Sequence, residues 1–181
     1  GLFVAYFKLP AFIVTLAMQT VCFGIICRYT GGQNVYKIGN FKALGQSTVA
    51  GLIPITVVFM VIMFIITHVI LKYTKFGRYL YAIGGNKEAA IAAGIQVVKV
   101  KWSAFIISGV FAAIAGMVMM GRLNAGIPGE GQGYETDAIT ATVIGGTSFA
   151  GGAGTAFGTF LGSVIIGVLN NIMNLMGVDS Y

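Results

Sequence analysis

Long uncharged stretches alternate with polar segments along the chain. Three of these stretches are continuous enough to predict membrane-spanning helices, at residues 10–27, 52–71 and 102–120. A helix of about 20 apolar residues, rising about 1.5 Å per residue, crosses a hydrocarbon layer of about 30 Å. The pattern therefore predicts an all-α, polytopic helical membrane protein with a single transmembrane domain over residues 1–181.

A fourth apolar stretch, residues 138–169, carries no charge but is broken in its middle by glycines, at positions 145, 146, 151, 152 and 154. Broken backbone at membrane depth is tolerated where protein encloses it or where it lines a cavity. We therefore expect short helices at residues 138–150 and 154–169, either re-entrant or fully spanning, around a glycine-rich turn.

The composition excludes a soluble fold, because 57% of the residues are hydrophobic and only 9% are charged, against roughly a quarter in soluble domains. The formal net charge of +6 does not indicate nucleic acid, since the cations flank apolar spans and are not interleaved with stacking aromatics. The expected partner of this surface is the lipid bilayer.

The cations also predict the orientation of the chain in the membrane. Residues 72–101 contain six of the eleven Lys and Arg residues, which places this segment in the cytoplasm by the positive-inside rule. Alternation then places residues 28–51 and 121–138 outside. The second of these carries Arg122 and three carboxylates, in agreement with that topology.

The cytoplasmic segment contains the run G-G-N-K-E-A-A-I-A-A-G-I, residues 84–95. We expect the two glycines to form a turn, Asn86 to cap a short helix over Lys87–Ala93, and Gly94 to end it. From the pattern alone, a docking helix for another protein and a simple connector fit equally well. The residues of the predicted docking surface are Gly85, Asn86, Glu88, Ala89, Ala90, Ala93 and Gly94.

Polar residues inside the first span are candidates for a translocation path. Thr15, Gln19 and Thr20 lie within reach of one helix face, and polar groups at membrane depth usually face the protein interior. Hydrogen bonds to neighbouring helices explain them equally well.

A small-residue ladder of Gly154, Gly158 and Gly162, at a spacing of four, predicts close helix packing. Packing within the chain is favoured over packing against a second copy.

The sequence predicts no enzyme, catalytic residue, metal site or bound cofactor. Ser148 misses the G-x-S-x-G nucleophile pattern because Ala150 replaces the second glycine, and His68 is expected to be structural. No Lys follows Lys101, so no P-loop is present and ATP would be hydrolysed by a separate subunit. Cys22 and Cys27 are expected to be buried free thiols.

Several motifs together carry a resemblance to a known family. They are P-A-F-I-V-T-L at residues 10–16, the G-G-N-K-E-A-A-I-A-A-G-I run, G-Y-E-T-D-A-I at 133–139, V-I-G-G-T-S at 143–148 and N-N-I-M-N-L-M-G-V-D-S-Y at 170–181. With them the chain resembles the permease subunits of ribose-type, binding-protein-dependent ABC importers of monosaccharides.

The resemblance implies a permease that carries ribose or a similar monosaccharide across the bacterial cytoplasmic (inner) membrane. It also implies three protein partners: a second permease subunit, a cytoplasmic ABC ATPase and an extracytoplasmic sugar-binding protein. Residues 72–101 would be the coupling loop, whose E-A-A helix docks on the ATPase. The chain starts at Gly1 without an initiator Met, and we expect a fragment that lacks the family's N-terminal part and last span.

Two other function classes fit the pattern less well. A secondary transporter would need an intramembrane carboxylate for a coupling ion, and the predicted spans contain none. An intramembrane enzyme would need a catalytic pair, which the sequence does not offer.

Overall fold

The computed structural model describes residues 1–7, 9–36, 38–49 and 51–177, and most of them are helical. The helices are α1 Leu2–Tyr6, α2 Ala11–Thr30, α3 Lys42–Gln46, α4 Ile55–Tyr73, α5 Lys75–Gly85, α6 Lys87–Ala92, α7 Val97–Leu123, α8 Tyr134–Ile144 and α9 Ala156–Leu175. A 3₁₀ turn covers Gly39–Phe41, and two short strands, β1 Thr48–Val49 and β2 Ile53–Pro54, form an antiparallel hairpin.

Four of the helices, α2, α4, α7 and α9, are long and apolar enough to cross a membrane. Many of their large hydrophobic side chains are exposed, and none of the described residues of α2 or α4 is buried. A helix that presents apolar side chains on all sides suits contact with lipid or with further helices.

The helix ends follow from local sequence. Pro10 precedes the first residue of α2, and Gly31 ends the helix in the left-handed conformation at φ 66°. There the Gly32 amide donates to the Cys27 carbonyl at 3.0 Å, so an otherwise unpaired carbonyl is satisfied. α2 therefore reaches Thr30, three residues beyond the predicted apolar stretch.

The other long helices also differ from the expected bounds. α4 begins at Ile55 and not at Leu52, because Ile53–Pro54 pairs with Thr48–Val49 in the hairpin. α7 begins at Val97, five residues before the predicted start, since Lys99 and Lys101 lie within its first turns and hide the helix from a hydropathy pattern.

The first of two compact units comprises Gly1–Met63 and Val98–Gly131. In it, the backbones of Val35 and Gly126 exchange two hydrogen bonds, of 2.9 and 2.8 Å. The Gln46 side-chain amide donates to the Arg122 carbonyl at 3.1 Å. Residues 28–51, expected to be a loop, contain α3 and the first strand of the hairpin, β1.

The second unit comprises Phe64–Val97 and the chain from Gln132 onward. Here the Phe64 ring packs against Phe160, with centroids 5.0 Å apart, and so joins the second half of α4 to α9. His68 lies between aromatic rings, with centroid distances of 6.0 Å to Phe64 and 6.1 Å to Tyr73.

Residues 72–101, expected to connect two spans and to contain one short helix, are helical almost throughout, because α5, α6 and the start of α7 follow each other with short connections. A further expectation is wrong. The thiols are not buried within the described chain: Cys22 is exposed and Cys27 is partly exposed, because α2 turns much of its surface outward.

Candidate functional site

The corner between α5 and α6 is built on a single residue, Asn86, which ends one helix and begins the next. Its amide donates to the Ala82 carbonyl of α5 at 3.0 Å, and its Oδ1 accepts from the Ala89 amide of α6 at 3.0 Å. A side-chain cap of this kind stabilises a helix by about 1 kcal/mol. Gly84 and Gly85 are the last residues of α5 and do not form the expected turn.

The end of α6 is fixed by Gly94, which has φ +80°. The Gly94 amide donates to the Ile91 carbonyl at 2.9 Å, and the Ile95 amide donates to the Ala90 carbonyl at 3.0 Å. This double closure is the usual way in which a glycine terminates a helix. The short capped helix predicted here is therefore present, with Ala92 as its last residue.

The exposed face of α6 differs from the predicted one. Ala90 is only 3% exposed, so little of its side chain is accessible to a docking partner. Ile91, by contrast, is 55% exposed. The exposed residues of α6 and its C-cap, named here the α6 face, are Lys87, Glu88, Ala89, Ile91, Ala92 and Ala93.

A closely packed helix hairpin of α8 and α9 lies in the same unit. A Cβ atom at Gly158 would collide with the Gly145 carbonyl oxygen, and one at Gly162 with the Ala141 carbonyl oxygen. The two helices run antiparallel, and at their far end the Asn170 side chain donates to the Asp137 carboxylate at 3.2 Å. The glycines thus allow the two backbones to approach within the chain.

Gly154 is not part of this helix contact. It precedes Thr155, the residue that caps α9 by accepting from the Gly158 amide at 3.0 Å. Its φ of +154° places it in extended loop backbone that favours glycine, beside the Thr147 side chain. The predicted three-residue ladder therefore has two helical members, Gly158 and Gly162.

The turn between the hairpin helices, residues 145–154, is named here the glycine turn. The Thr147 amide donates to the Thr142 carbonyl and the Ser148 amide to the Ala153 carbonyl, both at 3.0 Å. The Ser148 hydroxyl accepts from the Ala150 amide at 3.2 Å. Ser148 thus shapes the turn.

The glycine turn contacts α5, which the sequence did not predict. The Tyr81 hydroxyl donates to the Gly154 carbonyl at 2.8 Å. A Cβ atom at Gly84 would collide with the Gly152 amide nitrogen, so the two backbones touch there. The only sequence signal for this contact was two glycine pairs, at 84–85 and 151–152, far apart in the chain.

The candidate path residues on α2 are all exposed. The Thr15 hydroxyl donates to the Ala11 and Phe12 carbonyls at 2.9 and 3.0 Å, and the Thr20 hydroxyl to the Leu16 carbonyl at 3.1 Å. A hydroxyl that donates a hydrogen bond to its own helix backbone costs less free energy to place in apolar surroundings than an unpaired hydroxyl does. Gln19 lies between them and is engaged in an interaction as well.

Four helices of membrane-spanning length with outward-facing apolar side chains make this a multi-span helical membrane protein. Within that class the chain belongs to the family described as "Branched-chain amino acid transport system / permease component", which it matches over residues 1–181.

Curated relatives carry names of sugar permeases. The chain is 43% identical to a ribose import permease protein of Bacillus subtilis (strain 168) over its whole length, which is 57% of that relative. It is 39% identical to a D-allose transport system permease protein of Escherichia coli (strain K12), again over 100% of the chain and 56% of the relative. A xylose transport system permease protein of Haemophilus influenzae is 34% identical, with 64% of its length covered.

The chain therefore spans little more than half the length of these relatives. No solved structure matches it.

Proposed function

We propose that the full-length protein is the permease subunit of an ATP-binding-cassette importer that carries ribose or a similar monosaccharide across the bacterial inner membrane. The observation that supports this most strongly is the 43% identity, along the whole chain, to a ribose import permease. The 39% identity to a D-allose permease supports a monosaccharide more generally.

The proposed topology places the α5–α6 segment in the cytoplasm and residues 28–51 and 121–133 outside. The charge asymmetry supports it. The paired hydrogen bonds between Val35 and Gly126 also support it, since the two segments expected outside touch each other.

The topology predicts that cysteines placed at Lys87 and Gln132 are labelled from opposite sides of the membrane by an impermeant maleimide. Both positions are exposed, so accessibility of the side chain does not limit the reaction. Labelling in intact cells and in inverted vesicles is the measurement. Reaction of both cysteines from one side would refute the orientation.

We also infer that α8 enters the membrane without crossing it. Its 11 residues extend about 16 Å, whereas α9, with 20 residues, extends about 30 Å and matches the hydrocarbon layer. Because α9 starts at the glycine turn and spans the layer, the turn would lie at the cytoplasmic boundary, where it contacts α5. α8 would then cover only the cytoplasmic half of the layer, and its irregular end would be enclosed by α5 and not by lipid.

The α6 face is the proposed docking surface for the cytoplasmic ATPase. Its alanines permit close approach, Ile91 offers apolar area, and Lys87 and Glu88 border it with opposite charges. Central apolar contact with a charged rim is the usual arrangement of a protein interface. A second permease subunit and an extracytoplasmic sugar-binding protein complete the proposed assembly.

In the proposed cycle, the binding protein delivers sugar to the outer segments, and ATP-driven closure of the ATPases displaces α6 and switches the access of the path. Thr15, Gln19 and Thr20 stay candidates for that path, where their oxygens and amide would offer hydrogen bonds to sugar hydroxyls.

The deciding experiment is sugar uptake by the full-length permease, reconstituted with its ATPase and ribose-loaded binding protein. We expect ATP-dependent uptake and copurification of a P-loop ATPase with the permease. Uptake driven by an ion gradient, without an associated ATPase, would instead identify a secondary transporter.

A further inference from the structure

A continuous set of contacts runs from the α6 face to the α8–α9 hairpin through α5. The first step is the corner at Asn86, which caps both helices and leaves no linker between them. Ile83 of α5 and Ala90 of α6 are both buried. A displacement of α6 is therefore passed to α5, because no flexible segment exists to absorb it.

The second step is the contact between α5 and the glycine turn. The Tyr81 hydroxyl holds the Gly154 carbonyl at 2.8 Å and is partly buried. One helical turn further on, the Gly84 backbone lies directly against Gly152, and a Cβ atom at Gly151 would come within 3.0 Å of the Gly84 Cα. The turn is thus held at two points along α5.

The third step is the turn itself, which is tied to both hairpin helices. The Thr147 amide donates to the Thr142 carbonyl at the end of α8, and the Ser148 amide donates across the turn to the Ala153 carbonyl. The turn begins at Gly145, in backbone contact with Gly158, and ends at Gly154, which directly precedes Thr155, the cap of α9. A shift of the turn must therefore move the ends of both hairpin helices.

We infer that Tyr81 and Gly84 are positioning residues that carry a displacement of α6, through the glycine turn, to the α8–α9 hairpin. Coupling between distant sites requires such a contiguous packed path, together with a measured coupling effect. This inference rests on the proposed role of α6 as the docking site for an ATPase. It adds that the α8–α9 hairpin is the element that moves when the ATPase displaces α6.

The experiment uses the full-length permease with Cys22→Ser and Cys27→Ser, and with Phe149→Cys as a reporter in the glycine turn, where Phe149 is 82% exposed. The rate of labelling by a maleimide is measured with the ATPase subunit in its nucleotide-free and ATP-bound states. We expect the rate to change at least threefold between the two states.

Two variants test the path. Gly84→Ala introduces a Cβ against Gly152, and Tyr81→Phe removes only the hydroxyl that holds Gly154. We expect both to bind the ATPase and to hydrolyse ATP at the basal rate. The nucleotide-dependent change in labelling should disappear in Gly84→Ala and fall by half or more in Tyr81→Phe, and uptake per ATP should fall with it.

Matched controls separate this effect from loss of fold. Tyr79→Phe alters an exposed tyrosine of the same helix, and Gly167→Ala adds a methyl group where no described heavy atom lies within 4 Å. Both should respond like the parent protein.

The outcomes are distinguishable. One outcome would overturn this inference alone: Tyr81→Phe and Gly84→Ala bind the ATPase and still show the parent's nucleotide-dependent change in labelling rate. Failure of the parent permease to bind any ATPase would overturn the proposed coupling role and this inference together. Absence of sugar uptake with ATPase binding intact would overturn only the proposed substrate, since the labelling comparison still decides the inference.

Discussion

Replacing Gly158 by Leu should strongly reduce the yield of folded permease. The added side chain would enter the space occupied by the Gly145 carbonyl on α8, so the two helices must separate or shift. Overpacking of a close contact costs about 1–3 kcal/mol, and a clash with backbone belongs at the upper end because backbone cannot change rotamer. The measurement is the fraction of monodisperse protein in detergent and its thermal unfolding temperature.

Gly167→Leu on the same helix is the matched control. A Cβ atom at Gly167 meets no described heavy atom within 4 Å, so we expect a change near zero in yield and unfolding temperature. Equal stability of the two leucine variants would show that the α8–α9 contact does not exist in the membrane.

The second large effect is expected at the α6 face. Ala89→Trp fills an exposed position, so the permease should insert and bind sugar-loaded binding protein normally while sugar-stimulated ATP hydrolysis falls at least tenfold. A bulky side chain at an interface that requires close approach prevents the complementary packing on which binding depends. Glu88→Arg should act in the same direction more weakly, because a reversed exposed charge costs less than about 1 kcal/mol.

Ala90→Trp provides the contrast. Because Ala90 is 3% exposed, a tryptophan at this position should disrupt packing, and the yield of folded protein should fall. ATPase activity in reconstituted vesicles, normalised to correctly inserted permease, separates the two cases. Full stimulation in Ala89→Trp would show that α6 is only a connector.

The sequence was sufficient for three of the long helices and for the cap of α6, because both depend on local signals. Runs of apolar residues predicted α2, α4 and α7, and the N-K-E-A-A pattern predicted the cap of α6 by Asn86. The bounds were less accurate where tertiary pairing intervened, as at Pro54, which joins a strand and does not start a helix.

The burial of side chains in α6 could not be predicted from sequence. In a run of alanines, no hydrophobic period distinguishes Ala90, which is buried, from Ala89, which is exposed. The contact of Tyr81 with Gly154 was equally hidden, since it joins residues 73 positions apart and no local pattern encodes a pairing of that length. The spacing of Gly154 with Gly158 and Gly162 was misleading, because the cap at Thr155 starts the helix after it.

The left-handed backbone of the glycine turn has a consequence for tolerance to mutation. Gly146, Gly151 and Gly152 have φ values of +85°, +93° and +76°, where a side chain of any L residue costs about 1 kcal/mol or more. Surface loops ordinarily accept most substitutions. In a saturation library scored for folded protein, these three positions should therefore be depleted of variants as severely as a hydrophobic core. Phe149, in the same turn but with an exposed side chain, should accept polar replacements freely.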